Sequence, residues 1–394
     1  MKIAILTSGI LPVPAVKGGA VENHIDFYLK YNDQQQLHDM TVFSVWDDAI
    51  KGHPALKSNV NHYEFIEVKS LWAKVKKKLH HVIWGEGYYH YTIEYYFREA
   101  WKRLRKKHFD IILLDNRPGY AVNFVVPDNT QLYLYLHNDL LNNNTKEYHQ
   151  IYDKASRILT VSDYISSCVK TINPKDTKCF TVLNGIDLQA FSPSIVQIIT
   201  RKQLGLSNKD FVMIFSGRVT KEKGVTELID AMIKLNEYPD IKLLIIGSPF
   251  YGDTTNEDKF VRTLKQKAET IKERIIFTGF IPYSQMPQYL KLSNIAVIPS
   301  LWDDPCPNTV LEAQAMGLPI ITTRRGGIPE EVKETNAILL NTDEHFIDNL
   351  TNAIFDLYTH PEKRERMSEA SIKNSKYYNH HRYVEDFYKG LELK

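Results

Sequence analysis

Two carboxylates stand eight positions apart in the stretch 300–332, S-L-W-D-D-P-C-P-N-T-V-L-E-A-Q-A-M-G-L-P-I-I-T-T-R-R-G-G-I-P-E-E-V. The pattern predicts a loop that holds Asp304, followed by a helix over about 309–316 with Glu312 one turn inside it. Both side chains then face the carboxyl end of a strand at 295–298, where open α/β sheets bind ligands. The start of the helix adds free N–H groups and partial positive charge. Such a site suits a polyhydroxyl ligand that carries phosphate, because carboxylates accept hydrogen bonds from hydroxyl groups and the amides bind anionic oxygen.

Two cations occupy a comparable place earlier in the chain. Arg218 and Lys223 follow a predicted strand at 211–215, in the string S-G-R-V-T-K-E-K-G-V, and a helix is predicted over about 225–235. Cations at this position can neutralise a pyrophosphate as negative charge builds on a leaving group. Arginine matches phosphate with a planar fork, whereas lysine acts as a point charge. For the R-x4-K spacing alone, two solvated loop cations are the alternative.

The strings around these four residues resemble those of retaining glycosyltransferases of family 4. That family has the GT-B architecture, and its E-x7-E region stands here as D-x7-E, from Asp304 to Glu312, followed by E-A-Q-A-M-G-L-P and G-G-I-P-E. The string G-R-x4-K-G-V and the segment N-G-I-D at 184–187 also match. On the two carboxylate positions alone, a loop aspartate that caps a helix and an exposed glutamate fit equally well. The full strings favour the family.

The resemblance implies a role for each residue of the second half of the chain. Glu312 would bind the ribose hydroxyls of a nucleotide, and Arg218 and Lys223 would bind its pyrophosphate. Asp304 would orient the donor sugar together with the loop amides near Asn308 and Thr309. The loop at 279–282 would lie beside the base. The expected enzyme is a metal-independent, retaining hexosyltransferase without a cofactor, which uses a nucleotide sugar, by expectation UDP-glucose or UDP-N-acetylglucosamine.

Two residues depart from the family pattern and affect the donor sugar. Asp304 replaces the usual first glutamate and is one methylene shorter, so the sugar is expected to sit differently or to be a different sugar. Pro307 stands where glycine is frequent, and proline has no N–H to donate. The chain has no Asp-x-Asp motif and no convincing enzymatic nucleophile. The implied route is therefore a front-face displacement in which the leaving phosphate takes the proton of the acceptor.

The first half of the chain supplies further candidates at predicted strand ends and at one glycine pair. Gly18 and Gly19 precede a helix predicted at 20–31, where they permit a close backbone approach or form no more than a tight turn. In the family this loop faces the donor phosphates and the acceptor. His137 follows a predicted strand at 132–136 and is either a packed histidine or, as the family implies, a catalytic residue near the donor sugar. Asn116 and Arg117 are candidates for binding the acceptor.

The segment 69–108 combines eleven lysines and arginines with three glutamates and nine aromatic residues. Basic and aromatic residues on an amphipathic segment suggest adsorption to an anionic membrane or a polyanionic acceptor. A solvated helix face over a core is the alternative. Nucleic-acid binding is not supported, because no recognised module accompanies the basic residues.

Composition limits the class of protein. A chain of 394 residues with 43% hydrophobic content predicts two or three domains with sizeable cores, and a net charge of +2 excludes strong general binding of polyanions. The three cysteines, Cys168, Cys179 and Cys306, are too few for a disulfide framework or a zinc site and fit a reducing cytosol. The first residues lack the apolar region of a signal peptide, and no window approaches ~18 apolar residues. A cytoplasmic protein is expected, with peripheral contact at the cell membrane left open.

The order of the predicted elements is a βα alternation, which indicates parallel sheets. We predict an α/β protein with two doubly wound, Rossmann-like domains that face each other across a cleft. Residues 1–190 with 379–394 would bind the acceptor, a cell-surface polysaccharide, lipid-linked or other glycan, and residues 191–378 would bind the nucleotide sugar. The alternative is a non-catalytic GT-B scaffold subunit. Such a protein is expected to have lost Arg218, Lys223 or Glu312, and all three are present.

Overall fold

The computed structural model describes residues 1–84, 87–248 and 259–392. Within them the chain divides into two compact units, Met1–Leu183 with Val384–Lys394, and Asn184–Tyr383. The units change at 183/184 and 383/384, where the sequence analysis predicts 190/191 and 378/379. Glu86 of the basic segment, the side chain of Trp84 and the last two residues, Leu393 and Lys394, lie outside the described residues.

The first unit is built on a seven-stranded sheet in the order β3-β2-β1-β4-β5-β6-β7. Each neighbouring pair is parallel. β1 reads K-I-A-I-L and β4 reads I-I-L-L-D, which are the apolar runs typical of strands covered on both faces. The strands are β1 (Lys2–Leu6), β2 (Asp39–Val45), β3 (Asn61–Ile66), β4 (Ile111–Asp115), β5 (Gln131–Leu136), β6 (Arg157–Thr160) and β7 (Cys179–Thr181).

In the described part of the first unit, six α-helices contact this sheet or flank it. They are α1 (Ala20–Gln35), α2 (Leu71–Trp84), α3 (Tyr91–Leu104), α4 (Tyr148–Lys154), α5 (Asp163–Lys170) and the end of α13 (His380–Leu391). The last helix is fixed by aromatic packing: the ring of Phe387 stacks on Tyr28 at 3.9 Å, and the Tyr388 hydroxyl donates a hydrogen bond to the Tyr28 carbonyl at 2.8 Å. Among the described residues, no helix is both long and apolar enough to cross a bilayer.

The second unit has a six-stranded parallel sheet in the order β10-β9-β8-β11-β12-β13. Its core is mostly aliphatic, with Met213, Leu243 and Val297 from the strands packed against Leu228 and Ile354 from the helices. The strands are β8 (Phe211–Ser216), β9 (Ile241–Ile246), β10 (Ile275–Gly279), β11 (Ile295–Ile298), β12 (Ile320–Thr323) and β13 (Ala337–Leu340). The helices are α6 (Val225–Lys234), α7 (Lys259–Lys267), α8 (Met286–Lys291), α9 (Asn308–Ala315), α10 (Ile328–Glu331), α11 (Phe346–Thr359) and α12 (Pro361–Ser375).

The predicted fold class is confirmed, since the protein is α/β and both of its sheets are parallel and doubly wound. In each sheet the strand order reverses once beside the first strand of the unit, between β1 and β4 and between β8 and β11. Loops that leave adjacent strands in opposite directions open a crevice at such a point, and ligands of doubly wound sheets bind there. Most of the candidate residues follow one of these four strands, which is what gives their positions functional meaning.

The segment 69–108 is not one amphipathic surface. The structure divides it into α2 and α3, and the aromatic residues Tyr95, Tyr96 and Phe97 of α3 are buried in the first unit. Arg103 and Lys107 both contact the carboxylate of Glu64, at 3.4 and 2.7 Å. For α3, the alternative of a polar face over a core is therefore correct.

Candidate active site

The backbones of the loops that follow β8 and β11 contact each other directly. The Leu301 amide donates a hydrogen bond to the Glu222 carbonyl at 2.9 Å. Gly224 has a φ of +71°, and a Cβ at this position would lie 1.9 Å from the Pro299 carbonyl oxygen. Only glycine permits both the left-handed backbone and this close approach. The K-G-V part of the sequence string is thus explained by the contact between the two loops.

Lys223 and Asp304 form an ion pair between these loops. The Asp304 side chain is 7% exposed and that of Lys223 is 18% exposed, and the Lys223 ammonium lies 5.3 Å from the centre of the Trp302 ring. An ammonium group has three protons, so the ion pair leaves others to donate to a phosphate. The helix-capping alternative for Asp304 is wrong: α9 follows Pro307, and no described side chain makes a capping hydrogen bond there.

The loop that carries Asp304 is also held from its other side. The Gly327 amide donates to the Asp304 carbonyl at 2.8 Å, and the Gly326 amide donates to the Asp303 carboxylate at 3.2 Å. Gly326 has a φ of +56°, and a Cβ there would lie 2.3 Å from the Asp304 carbonyl oxygen. The Gly-Gly pair of the sequence signature therefore has a structural role, which is to let a second loop pack directly on the Asp304 backbone.

Arg218 lies near this pair but is more accessible. It follows Gly217 after β8, its side chain is 39% exposed, and its guanidinium lies 3.8 Å from the Glu222 carboxylate. This distance exceeds a hydrogen bond, and an exposed pair of this kind contributes little to stability. Arg218 is thus placed where its fork can reach a ligand anion at the carboxyl end of β8.

Glu312 lies on α9 and is buried, so the alternative of an ordinary exposed glutamate is wrong. Burial raises the pKa of its carboxyl to about 7, although a hydrogen bond from the Tyr283 hydroxyl acts in the opposite direction. A buried carboxylate with one partner can accept further hydrogen bonds. Sequence analysis missed Tyr283, since its tie to Glu312 spans 29 positions and depends on the tertiary fold.

The start of α9 is organised by Asn184. Its side-chain amide donates to the Cys306 carbonyl and to the Asn308 side-chain oxygen, each at 3.1 Å. The Cys306 thiol donates to the Glu331 carboxylate at 3.1 Å, so it is directed into the unit. Asn308 and Thr309 form the first turn of α9, where amide N–H groups have no intrahelical acceptor. The structure thus connects Asn184, from the N-G-I-D segment, to the start of α9.

In the first unit, Gly18 and Gly19 directly precede α1 and have φ values of +73° and +103°. A Cβ at Gly19 would lie 2.1 Å from a carboxylate oxygen of Glu22. Burial, with a smaller contribution from the charge of Asp115, raises the pKa of Glu22 to about 7. Sequence analysis did not single out Glu22, although it belongs to the string K-G-G-A-V-E.

The three polar candidates at strand ends of the first unit lie together. Asn116 follows β4 with a φ of +58° and accepts a hydrogen bond of 2.5 Å from Asn138, which follows β5. Arg117 stacks on the Tyr89 ring at 5.1 Å. The His137 side chain is 6% exposed, and its Nε2 lies 3.4 Å from Oδ1 of Asp115. The local geometry fits both the packed histidine and the catalytic one.

Asp115 is a buried carboxylate at a strand end of the first unit. It is fully buried as the last residue of β4, and neither carboxylate oxygen has a hydrogen-bond partner among the described residues. Sequence analysis singled out its neighbours Asn116 and Arg117 and missed Asp115 itself. Its signal was a single carboxylate that ends an otherwise apolar run.

Two doubly wound parallel units, with cations and carboxylates at a switch point of the second, define the chain as a GT-B protein. Residues 196–374 match the family described as Glycosyl transferases group 1. "Putative glycosyltransferase YtcC" of Bacillus subtilis (strain 168) is 30% identical over 386 residues, which cover 95% of this chain and 87% of that protein. The chain belongs to the glycosyl transferases group 1 family.

Two further similarities extend over the whole chain. "Spore coat protein SA" of the same organism is 29% identical over 389 residues, covering 95% of this chain and 94% of that protein. The crystal structure of Anabaena Alr3699/HepE in complex with UDP-glucose is similar to this chain, with a TM-score of 0.73 and 20% identity over 99% of both chains. The similarity to the Anabaena structure shows that the two proteins share a fold.

Proposed function

We propose that this chain is a retaining, metal-independent glycosyltransferase of family 4. It would move a hexose or N-acetylhexosamine from a nucleotide sugar, UDP-glucose or UDP-N-acetylglucosamine, to a polysaccharide, lipid-linked or other glycan acceptor. The observation that carries the proposal is the Lys223–Asp304 pair at the switch point of the second unit, with Arg218 beside it and Glu312 buried in the next helix. The choice of UDP is supported by the UDP-glucose that the Anabaena protein binds.

The proposed donor site divides a nucleotide sugar among four side chains. Arg218 and Lys223 bind the pyrophosphate, and the ribose hydroxyls donate to Glu312. Asp304 and the first turn of α9 orient the sugar. As the bond to the sugar breaks, negative charge grows on the pyrophosphate and the two cations stabilise it more strongly than in the ground state. The loss of one such contact costs roughly 3 kcal/mol, or about a hundredfold in rate.

The proposed route is a front-face displacement with retention. The acceptor hydroxyl oxygen bonds to the anomeric carbon on the face from which the phosphate leaves, and the leaving phosphate takes the hydroxyl proton. Asp304 is a poor candidate for a covalent nucleophile, because the Lys223 ammonium holds its carboxylate. His137, Gly18, Gly19, Asn116 and Arg117 keep their predicted roles toward the donor sugar and the acceptor within this proposal. We propose that the reaction takes place in the cytoplasm, a reducing compartment that a chain with only three scattered cysteines fits.

Donor hydrolysis tests this proposal. UDP-, GDP- and ADP-sugars are incubated with the protein in EDTA, and release of the sugar and thermal stabilisation are both measured. Lys223→Ala should lower hydrolysis by about a hundredfold. Lys221→Ala, which removes an exposed lysine of the same loop, is the matched control and should leave the rate unchanged. Early NMR spectra of the released sugar report its anomeric form, and retention requires the anomer of the donor.

The same experiment decides between an enzyme and a scaffold. The scaffold alternative predicts that no nucleotide sugar stabilises the protein or is hydrolysed, and that Lys223→Ala changes nothing. Loss of activity in EDTA with recovery on added divalent metal would overturn metal independence alone. Release of the opposite anomer would overturn retention and leave glycosyl transfer standing.

A further inference from the structure

The helix α2 turns the large apolar side chains that the structure describes away from the protein. Six of them are between 55% and 80% exposed, and these are Leu71, Trp72, Val75, Leu79, Val82 and Ile83. Single exposed apolar residues are ordinary on a protein surface, but a contiguous group on one helix marks a surface that binds something.

The six residues form one face of the helix. At about 100° per residue they fall within an arc of about 120°, which is a continuous apolar stripe. Ala73, Lys77 and His80 lie on the opposite side and are the buried or half-buried positions of α2. Burial lowers the pKa of both Lys77 and His80. The helix therefore packs its polar side on the protein, the reverse of a helix that completes a core.

Lysines line the edges of this stripe. Lys74 and Lys78 lie along one edge and Lys76 along the other, and all three are exposed. None has a carboxylate partner in the described part of the chain, and α2 contains no aspartate or glutamate. In α3, by contrast, Lys102 pairs with Glu99 at 2.6 Å. The exposed lysines of α2 are therefore available to a partner, as are the exposed Arg105 and Lys106 that follow α3.

We propose that α2 is an interfacial helix that binds the surface of an anionic lipid bilayer. Its axis lies in the plane of the headgroups, the six apolar side chains enter the acyl boundary, and the lysines contact lipid phosphates. Charge complementarity selects this partner, because cations on both edges of an apolar stripe match a layer of anionic headgroups above hydrocarbon. Lysine stems can cover apolar surface while the ammonium stays in water. This binding does not depend on the proposed glycosyl transfer.

Vesicle binding by the full chain tests the apolar stripe. Wild type should bind vesicles of equal phosphatidylglycerol and phosphatidylcholine at least about tenfold more tightly than pure phosphatidylcholine. The double variant Leu79→Glu with Val82→Glu should lower binding by about tenfold or more. Val196→Glu with Ile198→Glu is the matched control, since both residues are exposed apolar residues of the second unit, 81% and 74% accessible. Unchanged thermal unfolding of both variants shows that they fold.

Two further measurements separate insertion from charge attraction. Brominated lipids should quench wild-type tryptophan fluorescence, and Trp72→Phe should remove most of that quenching. Lys74→Glu with Lys78→Glu should abolish the preference for anionic lipid, whereas Lys202→Glu with Lys209→Glu, exposed lysines of the second unit, should retain it.

The proposal is overturned if wild type ignores anionic vesicles, or if the α2 variants bind as tightly as wild type. Self-association of wild type that Leu79→Glu with Val82→Glu abolishes, without vesicle binding, would assign the stripe to a second copy of the chain instead. Binding that both lysine variants weaken equally would show general charge attraction and would also overturn it.

Discussion

Replacing Glu312 by glutamine isolates the energetic consequence of burying one carboxyl in the proposed donor site. Burial raises its pKa from 4.5 to about 7. The folded state therefore holds this proton more tightly than the unfolded state, and the free energy of unfolding falls as pH rises from about 4.5 to about 7. At about 1.4 kcal/mol per pH unit, the loss approaches roughly 3 kcal/mol above pH 7.

Glu312→Gln has nearly the same size and does not titrate. The variant should be within about 1 kcal/mol of wild type near pH 5 and should become more stable above pH 7, by up to roughly 3 kcal/mol. Urea unfolding at four pH values between 5 and 8 measures the difference. Glu365→Gln is the control, because Glu365 is exposed in the same unit and its replacement should give no pH-dependent difference.

The same substitution should act in the opposite direction on the nucleotide. A carboxylate accepts two ribose hydroxyls better than a neutral amide does, so UDP should stabilise Glu312→Gln less than wild type. In wild type, the binding of UDP should weaken as pH falls through about 7, where Glu312 takes up its proton. If the stability difference between variant and wild type is flat from pH 5 to 8, the carboxyl is not buried as described and the reasoning fails.

Two other substitutions test contacts around the site. Gly224→Ala should destabilise the protein by about 2 kcal/mol or more, because the new Cβ would lie 1.9 Å from the Pro299 carbonyl oxygen at a φ of +71°. Gly205→Ala has a similar φ of +72° with nothing within 4 Å, so urea unfolding should show only a loss of about 1 kcal/mol from backbone strain, and equal losses would refute the loop contact. Tyr283→Phe removes the hydroxyl that lowers the pKa of Glu312, so half-maximal UDP binding should move to higher pH, and an unchanged pH profile would contradict that hydrogen bond.

The strands could be predicted from sequence because parallel sheets bury both faces. Apolar runs such as 111–114 and 242–246 correspond to strands Ile111–Asp115 and Ile241–Ile246. The final residue of β4 carries a carboxylate, so it lies outside the apolar run from which the strand could be predicted. Asp115 was missed for this reason, although its burial makes it one of the most constrained polar groups of the first unit.

The site could be predicted only as far as local spacing carries information. The strings predicted that Arg218 and Lys223 follow a strand and that Glu312 lies one turn inside a helix, but the partner of each is set by the tertiary fold. The orientation of α2 could not be predicted either. A periodic apolar pattern shows that a helix has an apolar face, but it does not show whether that face packs against a core. The neighbouring helix α3, which is also rich in basic and aromatic residues, buries its aromatic side chains in the first unit. A similar composition can therefore belong to a helix that packs on a core or to one that exposes its apolar face.

Asp304 stands where the family usually has glutamate, and this difference has a specific consequence for the proposed donor site. The position of the Asp304 loop is set by its backbone, through the Gly327 amide and the close approach of Gly326. The shorter side chain therefore changes how far the carboxylate reaches and leaves the loop in place. It still reaches Lys223, so the charge balance at the proposed pyrophosphate site is kept. We therefore expect this exchange to alter which sugar is accepted while the nucleotide half of the site, built on Arg218, Lys223 and Glu312, is unaffected.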